Sequence, residues 1–187
     1  MALATAANAT IINLSAGFTG PFAVQSDTTT RVDTGLTRLG TLTGAPASTS
    51  IADIEAVFVE FGTGATTGTG GIGGTYSNGD AGSFNDQQVY FWVFDGADTG
   101  SSTEHGLFSV ADPDAPASGD NWRYPVHTGS GTDSATLALS AVVQGGDFVV
   151  GRTDGSNLVL APIIPEPSGA LLAGLAGALL VFRRRRS

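Results

Sequence analysis

Val89-Tyr90-Phe91-Trp92-Val93-Phe94 puts bulky side chains on both faces of an extended segment, because successive residues of a strand point to opposite sides. Such a strand needs cover on each face, so it reads as the central, buried strand of a layered β fold, ended by Asp95-Gly96. Gly, Ser, Thr, Ala and Asp dominate the chain, a composition that opposes long helices and fits strands joined by turns.

Alternation and turn residues mark the other strands. Residues 10–14 are the first candidate. Residues 36–43 mix Leu36, Arg38 and Gly40 on one side with Thr37, Leu39 and Thr41 on the other, which suits an exposed or edge strand. Residues 54–61 place Val57, Val59 and Phe61 on one face and Ala56, Phe58 and Glu60 on the opposite one. Residues 62–82 hold nine glycines and read as a long flexible surface loop; phosphate cradling is excluded because there is no GxxxxGK[ST] and no Lys in the chain. Residues 106–110 return beside the central strand, and Pro125 makes residues 122–126 an edge segment or a strand end. Residues 135–143 alternate as a half-buried strand. Residues 148–152 and 158–161 flank Asp154-Gly155, a hairpin signal, with a linker at 162–167. The expected class is all-β: an antiparallel β-sandwich over residues 10–161, with a jelly-roll-like arrangement as one form of it.

The chain ends differently. From Ser168 to Phe182 fifteen residues carry no charge, and Arg183, Arg184, Arg185 and Arg186 follow at once. As a helix this run covers roughly 22 Å, less than the roughly 30 Å hydrocarbon core, so it spans only with thinning of the bilayer or snorkelling of the arginines. The arginines orient such a transmembrane helix with its C-terminus in the cytoplasm. Pro165-Glu166-Pro167 opposes extension of the helix upstream and makes an extended hinge at the membrane surface.

Pro165-Glu166-Pro167, the short Leu/Ala/Gly-rich segment and the arginine cluster, in that order at the chain end, resemble the PEP-CTERM protein-sorting signal. The match covers about 23 of the 187 residues. The resemblance implies an exported protein whose partner is an exosortase-type membrane protease that recognises Pro-Glu-Pro and removes the helix with its arginine tail. It also implies an extracellular-matrix or exopolysaccharide role without catalysis. A plain C-terminal anchor in the lipid bilayer is the competing reading, and nothing in an anchor calls for Pro-Glu-Pro at that boundary. Tyr90-Phe91-Trp92-Val93-Phe94, Thr103-Glu104-His105-Gly106-Leu107-Phe108 and Trp122-Arg123-Tyr124-Pro125 are similar to a group of exported proteins bearing this signal, a likeness that implies no activity.

Export calls for a signal peptide. Ala7-Asn8-Ala9 has the small-x-small form of a cleavage site, so residues 1–9 read as the remnant of one, against the alternative of an ordinary Ala-rich terminus. Residues 1–167 carry four Arg against seventeen Asp and Glu, a net charge of −13 once the arginine tail is removed. A surface so acidic disfavours nucleic acid and anionic lipid and is compatible with neutral glycans or divalent cations. Cysteine is absent, which excludes disulfides and thiolate chemistry.

No catalytic residues are expected: there is no GxSxG, and His105 and His127 sit in no triad setting. Glu104-His105 reads as part of a loop, with the imidazole exposed or bonded to backbone. Asp112, Asp114 and Asp120 are candidate calcium ligands, although their spacing fails the EF-hand template; a solvated turn is the alternative. No other cofactor is expected. Trp92, Trp122 and Tyr124 are expected to pack in the core rather than stack on sugars. The alternatives to a non-catalytic surface protein are a secreted carbohydrate-active enzyme and a calcium-stabilised adhesin module on the same tail.

Overall fold

The aromatic run lies where its side chains require, in the middle of the largest sheet. The computed structural model describes residues 9–15, 20–67, 70–78, 83–110, 122–126 and 132–164. In chain order the elements are β1 (Ala9–Ser15), β2 (Phe22–Val24), β3 (Leu36–Leu42), α1 (Ile51–Glu55), β4 (Phe58–Ala65), β5 (Gly74–Asn78) and β6 (Tyr90–Phe94). They continue with β7 (Glu104–Ser109), β8 (Thr132–Ala138), α2 (Leu139–Gly145), β9 (Asp147–Val150), β10 (Arg152–Asp154), β11 (Asn157–Val159) and β12 (Ala161–Pro162).

A six-stranded sheet runs β12-β7-β6-β3-β4, with β9 also on β7; the other sheets run β5-β1-β8 and β10-β11-β2. The class is mostly β with largely antiparallel pairing and, among the described residues, no closed barrel. Pairing is not antiparallel throughout, which corrects one expectation: β1 runs parallel to β8, and β2 parallel to β11. Both pairs join strands far apart in the chain, where no short hairpin dictates direction.

The six-stranded sheet is apolar on both faces. On one, Leu39, Phe91, Val93 and Phe108 share a cluster with Ile12 and Leu14 of β1, Leu137 of β8, Ala23 of β2 and Leu158 of β11. On the other, Trp92, Phe94, Leu107, Phe58 and Val150 pack with Ile54 of α1. Phe91, Trp92, Val93 and Phe94 are all fully buried, as a two-faced central strand demands. Residues 122–126 are held as an extended segment beside it: Val89 N donates to Trp122 O at 2.8 Å and Trp122 N to Val110 O at 3.0 Å. The Gln88 amide closes the gap, with Nε2 donating to Val110 O at 2.7 Å and Trp122 O at 2.8 Å. Trp122 and Tyr124 are buried core residues, as expected.

Several expectations are corrected. β3 is internal, hydrogen-bonded to β4 and β6; its polar Thr37 and Thr41 misled because both are buried. Residues 54–61 are not one strand. Ser50 caps α1 by accepting a hydrogen bond from Asp53 N at 3.2 Å, and β4 starts only at Phe58. Leu39 pairs with Gly62 and Gly40 with Glu60, so Phe61 is the extra residue of a β-bulge. Phe58 enters the smaller cluster and Phe61 the larger, while Val59 is exposed. Gly40 makes this packing feasible, because a Cβ there would lie 2.5 Å from Phe58 Cζ and 2.5 Å from Val59 O.

Residues 62–67 and 70–78, the described part of the stretch 62–82, are not one long loop. They finish β4 and form β5, whose Tyr76 rests on Gly62 and donates or accepts a 3.0 Å hydrogen bond with Thr37 Oγ1. Glycine there permits close packing of strands rather than slack. Residues 135–143 split into β8 and α2, since Leu139 and Val142 reach the core equally well at helical spacing. Residues 148–152 break at Gly151 (φ +93°), where the chain leaves the six-stranded sheet for β10; a Cβ would meet Val159 O at 2.7 Å. The hairpin of β10 and β11 forms as expected, with Asp154 paired to Asn157.

Candidate functional site

The C-terminal exit from the described residues is marked by β12. Ala161 and Pro162 pair with His105 and Glu104 of β7, and Ile163 N donates to Thr103 O at 2.8 Å. One residue upstream of β12, Leu160 N donates to Val24 O at 2.9 Å. Ile164 is 80% exposed. Of the linker expected at 162–167, Pro162 and Ile163 belong to the sheet edge, and residues 165–167 lie outside the described residues.

Two loops surround this exit. The Asp95 carboxylate accepts from Thr103 N at 2.8 Å, Glu104 N at 3.0 Å and Thr103 Oγ1 at 2.6 Å. Glu104 in turn accepts from Ser26 N at 2.7 Å and from Ser26 Oγ. The next residue, Asp27, accepts from the Thr29 and Thr30 amides, each at 2.8 Å, and from Thr30 Oγ1 at 2.6 Å. The Thr30 hydroxyl first, then the amides of Thr30 and Thr29, push the Asp27 carboxyl down to about 2. Each carboxylate is occupied by local donors, which fixes the loops flanking the exit.

His105 lies behind the exit in β7, 2% exposed, and this corrects the expectation of a loop histidine. Trp92 Nε1 donates to His105 Nδ1 at 3.0 Å, and Phe94 stacks on the imidazole at 6.0 Å between ring centres. Burial pushes the His105 pKa below its ordinary value, against a backbone hydrogen bond with Thr49 and the charge of Asp95. The imidazole is held between the Trp92 indole and the Thr49 backbone.

On the six-stranded sheet Arg38 of β3 forms direct ion pairs with Glu55 of α1 and Glu60 of β4. The Arg38 guanidinium also lies 5.0 Å from the Phe58 ring centre and 5.1 Å from that of Trp92. Sequence reading missed this cluster, since its partners are 17 and 22 residues from Arg38 and only the fold joins them. Glu55 presents both oxygens and Glu60 its Oε2 to the one guanidinium. That arrangement pins α1 to the sheet.

Pro165, Glu166, Pro167, Arg183, Arg184, Arg185 and Arg186 lie outside the described residues, as do Asp112, Asp114, Asp120 and His127. Among the described residues no three His, Asp or Glu side chains gather as a metal site, and no helix is long and apolar enough to cross a membrane. Compared with protein-family models, curated proteins and solved structures, the chain finds no match.

Proposed function

We propose that this chain is an exported, non-catalytic surface or extracellular-matrix protein. Its β domain is delivered by a C-terminal sorting signal and released from the membrane by an exosortase-type protease. The observation that carries the proposal is the ordered tail: Pro165-Glu166-Pro167, fifteen uncharged residues, then Arg183 to Arg186. In the precursor the tail spans the inner membrane with the arginines on the cytoplasmic side. After cleavage the domain passes to the cell surface or beyond, where its charge and lack of Lys favour a neutral partner such as an extracellular polysaccharide over a polyanion.

Two structural features support this reading. Among the described residues the last backbone hydrogen bond along the chain is made by Ile163, two residues before the motif. Among the described residues the larger cluster joins the six-stranded sheet to strands of both other sheets, which favours a β-sandwich. Replacing Glu166→Ala tests the proposal: precursor should accumulate in the membrane fraction, whereas release equal to that of the unaltered chain would count against the motif. The calcium-stabilised adhesin reading rests on Asp112, Asp114 and Asp120, and a melting temperature that does not respond to calcium would remove it.

A further inference from the structure

Two Asp-Gly pairs lie in the described residues, and the fold treats them oppositely. An Asp followed by Gly is open to a self-reaction in which the glycine amide attacks the aspartate side chain, because glycine has no Cβ to hinder the approach. At Asp95-Gly96 both reacting groups are tied down. The Asp95 carboxylate accepts from Thr103 N at 2.8 Å, Glu104 N at 3.0 Å and Thr103 Oγ1 at 2.6 Å, which turns it toward the start of β7. Gly96 N donates to Ser102 Oγ at 3.1 Å. At Asp154-Gly155 neither group is held. Residues 154–156 are exposed at the tip of the β10–β11 hairpin, and among the described residues no donor reaches the Asp154 carboxylate and no acceptor takes the Gly155 amide. A Cβ built at Gly155 would meet nothing within 4 Å, so the space for ring closure is open.

We propose that Asp154-Gly155 is a site of spontaneous isomerisation in the folded protein, and that Asp95-Gly96 is protected from the same reaction by its hydrogen bonds. Gly155 N bonds to Asp154 Cγ, the amide proton and the carboxyl hydroxyl leave as water, and a succinimide ring joins the two residues. Water then adds at the former main-chain carbonyl of Asp154 and breaks its bond to Gly155 N. That carbon becomes a free carboxylate, and the chain runs on through Cγ. One water leaves and one returns, so the change needs no oxidant and no enzyme and accumulates with the age of the chain. The product, isoaspartate, adds a methylene to the backbone between β10 and β11. Because the turn sets the register of a hairpin, the closing pair of Asp154 with Asn157 is lost, and with it the turn that sets the fully buried Leu158 opposite Thr153.

The test incubates the full-length chain at physiological temperature and near-neutral pH, folded in buffer and unfolded in urea. Isoaspartate is mapped with an endoprotease that cuts before Asp but not before isoaspartate. In urea both pairs should isomerise at similar rates, since sequence alone then governs. In the folded chain isoaspartate should accumulate at position 154 several-fold faster than at position 95, preceded by a species lighter by one water. Ser102→Ala/Thr103→Val frees Gly96 N and removes one donor to Asp95, and should raise the rate at position 95, with circular dichroism checking that the variant is folded. An unchanged rate at position 95 in that folded variant would overturn the protective role of those bonds. Equal rates at the two positions in the folded chain, or a folded chain that stays unmodified at position 154 while the unfolded one reacts there, would overturn the proposal.

Discussion

Trp92 donates its indole N–H to His105 Nδ1 at 3.0 Å across the β6–β7 ladder, with both side chains removed from solvent. The bond requires Nδ1 to be unprotonated, which fixes the imidazole in its neutral form. Trp92→Phe keeps most of the ring volume and removes the donor. It should cost about 1–3 kcal/mol, the range for a buried acceptor left without its partner, measured by urea unfolding.

The same contact sets a pH dependence. Burial holds the folded-state pKa of His105 below the ordinary 6.5 of the unfolded chain, so the unfolded state binds the proton more readily. The stability of the neutral form is fully present above pH 6.5 and is lost as pH falls below it toward the folded-state value. Unfolding free energy should therefore decline with acidification from pH 6.5, and His105→Gln should flatten that decline. Identical slopes for the two proteins would assign the effect elsewhere.

Asp27 should behave in the opposite sense and in a separate window. Its carboxyl, brought down to about 2 chiefly by the Thr30 hydroxyl, should stay ionised well below the ordinary carboxylate value of 3.8. Thr30→Val removes the largest cause and should raise the Asp27 midpoint, read by carboxyl NMR titration. The loop's contribution to stability is present above pH 3.8 and is lost as pH falls through the folded-state value.

Gly40→Ala should destabilise the fold by about 2–3 kcal/mol, because the added methyl meets the carbonyl of Val59 as well as the Phe58 ring, and a backbone atom cannot rotate away. Arg38→Lys should cost about 1–2 kcal/mol, since one ammonium replaces neither the fork that joins Glu55 to Glu60 nor the planar contact with Phe58 and Trp92. Thermal and chemical denaturation check both.

These positions also show what local sequence reveals. The run from Val89 to Phe94 was legible because burial on both faces is written in consecutive side chains. So was the hairpin around Gly155, whose signal is confined to a few residues. The bulge at Phe61 was not: it depends on the register against Leu39 and Gly40, which no window of residues 54–61 contains. α1 and α2 are five and seven residues long and are held by tertiary contacts through Ile54, Leu139 and Val142, too short for a helical period to outweigh alternation. The glycines of residues 62–82 read as looseness, yet Gly62 and Gly64 are where β4 accepts the Tyr76 ring. At the C-terminal end, Pro165-Glu166-Pro167 announces itself in sequence, while the pairing of β12 upstream needed the Ala161–His105 register to be seen.

The most direct measurement on the central claim is intact-mass analysis of the mature protein recovered from cells with a working exosortase. The account predicts a chain lacking the segment from Ser168 to Arg186, and the same chain with the segment retained when the protease is deleted. A mature protein that keeps its arginine tail while the protease is active would contradict it.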